Sequence, residues 1–122
     1  MKPRESTIQA KEFQAAALRR QLKQFERMIG DLDIIRIELG KQIETEERRT
    51  GVDDPKNYAY STVARAARDR RTNLTATIDE LGARKARAEE ELRELNGFFD
   101  ALSNAAEFIV DDASVKARIA AA

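Results

Sequence analysis

The chain has 122 residues, and its 22 Lys and Arg balance 22 Asp and Glu, so no global field draws it to nucleic acid or to an anionic membrane. Cys, His and Trp are absent, and the lack of Cys removes disulfides, thiolate zinc sites and thiol nucleophiles. Charged residues are 36% of the sequence and aromatics 6%, with 5 Gly and 2 Pro, a composition that belongs to long helices once a heptad-like apolar period is present.

The opening Met1-Lys2-Pro3-Arg4-Glu5-Ser6-Thr7 has no apolar core of a signal peptide, so a cytoplasmic protein is expected. From Ile8 onward, positions spaced alternately three and four apart read Ile8, Lys11, Ala15, Leu18, Leu22, Phe25, Ile29, Leu32, Arg36, Leu39, Ile43, Glu46, Thr50. Nine of these thirteen are apolar and the phase never slips. That seam predicts one long helix with a partner along its length.

The next segment, 51–61, is the only strong breaker cluster. Gly51 follows Arg48 and Arg49, which suit the negative end of a helix dipole, and Gly51 itself suits the left-handed position that ends a helix. Asp54-Pro55 reads as a cap followed by the opening of one short turn, and Ser61 as the cap of a second long helix.

A second seam then runs Tyr60, Ala64, Ala67, Arg71, Leu74, Ile78, Leu81, Lys85, Ala88, Leu92, Leu95, Phe99, Leu102, Ala106, Ile109, Ala113, with fourteen of sixteen positions apolar. The apolar stretch from Phe98 to Val110 is interrupted by Asp100 and Glu107, so no stable membrane insertion is expected. The fold class that follows is all-α: two long helices in an antiparallel coiled-coil hairpin over residues 1–110, each roughly 70 Å long. Residues 111–122 form a C-terminal overhang, frayed or docked on a partner as a helix.

Joining Thr50 to Ser61 at the corner fixes the pairing. It sets Ile8 near Leu102, Lys85 opposite Glu26, Glu46 opposite Arg65, and Arg71 within a turn of Glu38 and Glu44. These polar residues on the seams read as register-setting contacts. Leu22 and Leu92 read as seam leucines. Gly30 and Gly82 fall at one height, where either a close helix approach, a bend or coincidence accounts for them.

Nothing in the pattern points to catalysis. Asp31/Asp33, Glu46/Glu47, Asp53/Asp54 and Glu89/Glu90/Glu91 are paired carboxylates without a pocket to shift their pKa values, so they read as solvated faces or caps. The expectation is a protein that is not an enzyme and needs no cofactor or metal. The basic run Ala64-Arg65-Ala66-Ala67-Arg68-Asp69-Arg70-Arg71 faces Glu44, Glu46 and Glu47 across the hairpin, which argues against nucleic acid. Apolar residues off the seams are more informative. Ile34 and Ile37 lie on the outer side of the first helix, and Phe98, Ala101, Ala105 and Phe108 make a second stripe beside the seam. Such surface implies an interaction: a partner, self-association into a four-helix bundle, or the overhang folding back on it.

Several segments resemble one family. They are Met1-Lys2-Pro3-Arg4-Glu5-Ser6, Lys11-Glu12-Phe13-Gln14, Arg19-Arg20-Gln21, the run from Glu46 to Pro55, Tyr58-Ala59-Tyr60, and the block from Ala64 through Arg70-Arg71-Thr72-Asn73-Leu74. Together they resemble the flagellar export protein family FliJ in its alphaproteobacterial form, over roughly residues 1–95. Ser61 stands where that form usually carries Pro, and residues 96–122 are more apolar than its usual C-terminal part. The resemblance implies a soluble stalk and chaperone-escort component of the flagellar type III export apparatus. Its partners would be the export ATPase and the export gate protein, and its place cytoplasmic or peripheral at the inner-membrane apparatus. It brings Tyr58, Tyr60, Arg70, Arg71 and Asn73 forward as partner-binding residues, beside the pattern-derived Ile34, Ile37, Phe98 and Phe108. A general coiled-coil adaptor or scaffold, which oligomerises or binds partner helices, is the alternative.

Overall fold

The computed structural model describes the backbone of residues 3–121 and the side chains of residues 4–107 and 120. It is a helical hairpin. Helix α1 spans Pro3–Thr50 and helix α2 spans Thr62–Ala121, and the two pack against each other in antiparallel sense. No strand occurs among the described residues. The helices divide into two compact units, Arg20–Arg87 around the corner, and Met1–Arg19 with Ala88–Ala122 at the other end.

In the corner unit, every seam position from Leu22 to Thr50 and from Tyr60 to Lys85 is buried or half-buried. The best-covered apolar group is Leu39, Ile43 and Ala67, with Leu74 packed against it. Elsewhere the larger seam residues Leu22, Phe25, Ile29 and Leu32 are only half-buried, because a single facing helix covers one flank of each. Small seam residues sink furthest: Ala64 and Ala67 are buried because their Cβ atoms lie inside the contact. The expected register holds at two levels. Lys85 Nζ lies 3.8 Å from Glu26 Oε1, and Arg71 Nη1 reaches the space above Gly40.

Near the corner one expected contact is replaced. Glu46 does not meet Arg65; it accepts from Ser61 Oγ at 3.0 Å and from Arg49 Nη2 at 2.8 Å. Arg65 turns back to donate to the Pro55 carbonyl at 2.9 Å. The loop brings Ser61 directly across from Glu46, so the capping hydroxyl takes the place that straight-rod pairing gives to Arg65. Arg71, at Gly40, lies within a turn of Glu38 and Glu44 as expected, while those carboxylates pair on their own helix with Lys41 and Arg48. Gly30 and Gly82 both face open space, so no close helix approach explains them.

In the terminal unit the seam continues through Ala15, Leu18, Ala88 and Leu95, all buried, with Ile8, Lys11, Leu92, Phe99 and Leu102 half-buried. Ala106 is exposed, and the side chains of Ile109 and Ala113 lie outside the described residues. Helix α2 is continuous through Ala121. No helix in the described residues is long and apolar enough to cross a membrane.

Candidate interaction site at the corner

Helix α1 stops at Thr50 because Gly51 adopts φ +72°, a backbone region open to Gly at little cost. Its N–H donates to the Glu47 carbonyl at 2.9 Å and so satisfies one of the last carbonyls of the helix. Two Asx-capped turns follow. Asp54 Oδ1 accepts from the Lys56 N–H and Asn57 Oδ1 from the Ala59 N–H, both at 2.9 Å. Ser61 then caps α2, its Oγ accepting from the Ala64 N–H at 3.2 Å and its carbonyl from the Arg65 N–H at 3.0 Å. Asp54, Asn57 and Ser61 thus each supply a hydrogen bond that the interrupted helix no longer makes.

The corner is pinned to the helices by Tyr60, which is 4% exposed. Its hydroxyl donates to Glu47 Oε1 at 3.0 Å and accepts from Arg68 Nε at 2.7 Å. Arg68 Nη2 closes the triangle on Glu47 Oε1 at 3.0 Å. The guanidiniums of Arg65 and Arg68 lie 5.4 and 5.7 Å from the Tyr60 ring centre, so the ring is faced by two cations. The hydrogen bond from Arg68, helped by that from Tyr60, holds the Glu47 carboxyl below its ordinary value despite partial burial. Arg49, then Ser61, does the same for Glu46. The Arg68 guanidinium is driven further toward its charged form, first by Tyr60 and then by Glu47.

These contacts leave only some residues of the corner available to a partner. Tyr60 is spent inside, as the anchor. Tyr58, two residues earlier, is 100% exposed at the tip. Arg70 and Asn73 are exposed on the first turns of α2, while Arg71 is half-buried against α1 beside Gly40. On the outer side of α1, Ile34 and Ile37 are 63% and 52% exposed, and Ile35 joins them. Val63, also exposed, adds apolar surface near the tip that the seam pattern does not single out; as an off-seam Val beside a cap it carries no periodic signal. A shallow cleft beside Gly51 is lined by Glu44, Glu47, Arg48 and Asp53. Its Glu44 and Glu47 are already paired with Arg48 and Arg68, and no grouping of three metal-ligating residues occurs among the described residues.

The remaining expected contact lies in the terminal unit. Phe98 is half-buried rather than bare: Lys11 Nζ lies 4.8 Å from its ring centre, and Phe99 meets it edge-on at 5.7 Å. Ala101 and Ala105 are exposed, and the side chain of Phe108 lies outside the described residues. The stripe is therefore partly covered by the chain's own lysine, whose stem bridges the gap between the helices. Phe13, 73% exposed on α1, is a large apolar side chain of this unit that falls on neither seam. No family model, curated protein or solved structure matches the chain.

Proposed function

We propose that this chain is a coiled-coil stalk and chaperone-escort component of a flagellar-type III export apparatus, engaging its export ATPase and gate protein. The observation that carries the reading is the division of labour at the corner. The residues that resemble the FliJ family separate into an internal anchor, Tyr60, and an outward set, Tyr58, Arg70 and Asn73. A pinned corner fixes the backbone that carries those side chains, so binding has only their side-chain freedom left to restrict. Arg70 suits an acidic partner surface, and Tyr58 offers a large amphipathic contact. The protein would work in the cytoplasm or at the periphery of the inner-membrane apparatus, without cofactor or catalysis of its own. Titrating purified flagellar-type export ATPase with the chain tests this: ATP turnover rises if the reading is right, and no association and no change in turnover defeat it.

A second reading has its own support. The exposed Ile34, Ile35 and Ile37 give α1 an outer apolar surface that suits a partner helix, as in a general coiled-coil adaptor. Ile34→Ser with Ile37→Ser separates the two. An adaptor of this kind loses its partner, whereas a stalk that docks through its corner keeps its effect on turnover.

A further inference from the structure

The terminal unit contains a cleft of about 420 Å³ lined by Ile8, Glu12, Ala15, Arg19, Phe99 and Leu102. Ala15 is its fully covered floor, and Ile8, Phe99 and Leu102 are half-buried walls. Glu12 and Arg19 stand on one ridge of α1, two helical turns apart. Both are exposed, and among the described residues neither makes an ion pair. The contrast with the corner is informative, since there Glu46 and Glu47 are tied to Arg49 and Arg68. Helix α2 continues without a turn through Ala121, so no residue of that helix reverses to lie back over the cleft.

We propose that a second copy of this chain docks in the cleft, with the two α1 segments antiparallel about a twofold axis near Ala15 and Ala16. A twofold contact is isologous, so its surface must complement itself. One acid and one base on a single ridge meet that demand in the antiparallel sense: Glu12 of each copy faces Arg19 of the other. A parallel in-register contact would set like charge on like. A uniformly acidic or basic partner would satisfy one of the two charges and repel the other. The small, half-buried Ala16 at the crossing lets the helix backbones approach, and the half-buried Ile8, Phe99 and Leu102 then lose their remaining contact with water.

Sedimentation equilibrium of the full chain tests the proposal, with circular dichroism confirming that each variant stays helical. The wild-type chain is expected to dimerise. Glu12→Arg alone and Arg19→Glu alone should each weaken the dimer by about tenfold or more. The chain carrying both substitutions should regain it. An equimolar mixture of the two single variants should form a mixed dimer more readily than either forms alone, because one copy then supplies two bases and the other two acids. A wild-type chain that stays monomeric overturns the proposal, as does association that is indifferent to all of these changes. Binding of some other helix at the cleft by a monomeric chain would replace the second copy as its occupant and also overturn it.

Discussion

Tyr60 is the residue on which the corner depends. Its hydroxyl joins a carboxylate on α1 to a guanidinium on α2, and its ring is faced by two arginines. Tyr60→Phe keeps the ring but strands Glu47 and Arg68 with one hydrogen bond fewer. A loss of about 1 kcal/mol is expected from urea unfolding; an unchanged midpoint would show that the hydroxyl contributes nothing. The Glu47 carboxyl gives a second view of the same contact. Its folded pKa lies below the ordinary value of 4.5, so the unfolded chain binds the proton more readily. The stability it contributes is therefore fully present above about that value and is lost as pH falls through the folded pKa. Glu47→Gln should be less stable than wild type at neutral pH, with the difference shrinking in acid. A difference that stays constant from neutral pH down through the carboxylate range would contradict the assigned contact.

At the scale of the elements, the seams are legible in the sequence because a three-four spacing held over many turns is the period of one helix face packed on another. The corner is legible because Gly51, Asp54, Pro55 and Ser61 each have a mechanical reason to be there. What the spacing does not convey is depth. Leu22 and Leu92 sit on the seams yet are half-buried, while Leu39 is 5% exposed. One facing helix encloses a side chain only where its neighbours also close over it, as Ile43, Ala67 and Leu74 do around Leu39. Leu39→Ala should therefore cost about 2–4 kcal/mol, and Leu22→Ala clearly less, about 1–2 kcal/mol. Equal losses by thermal or denaturant melting would mean that burial does not grade the seam. Side-chain reach is equally hidden: straight pairing of the helices puts Arg65 at Glu46, whereas its long side chain bonds the Pro55 carbonyl. Gly30 and Gly82 make an opposite case: both sit inside helices, with open space where a Cβ would stand. Gly30→Ala and Gly82→Ala should each stabilise the fold by about 1 kcal/mol, and a lowered melting midpoint would reveal a constraint on those positions beyond the hairpin.

For the whole molecule, sequence pattern and resemblance together mark a surface, and the structure sorts it. Ile34, Ile37, Tyr58, Arg70 and Asn73 are exposed; Tyr60 is internal; Arg71 and Phe98 are half-covered by contacts within the chain. Pattern makes part of that division, since Tyr60 opens the second seam and Tyr58 does not; it does not convey that Lys11 would cover Phe98. The proposed role in export rests on the outward set, so the decisive measurement removes that set and leaves the anchor. Purified flagellar-type export ATPase is titrated with the wild-type chain and with Tyr58→Ala combined with Arg70→Glu, and ATP turnover is followed at matched helicity. The stalk role predicts stimulation by the wild-type chain and its loss in the variant. Stimulation that is absent with the wild-type chain, or undiminished in the variant, would contradict docking through the corner.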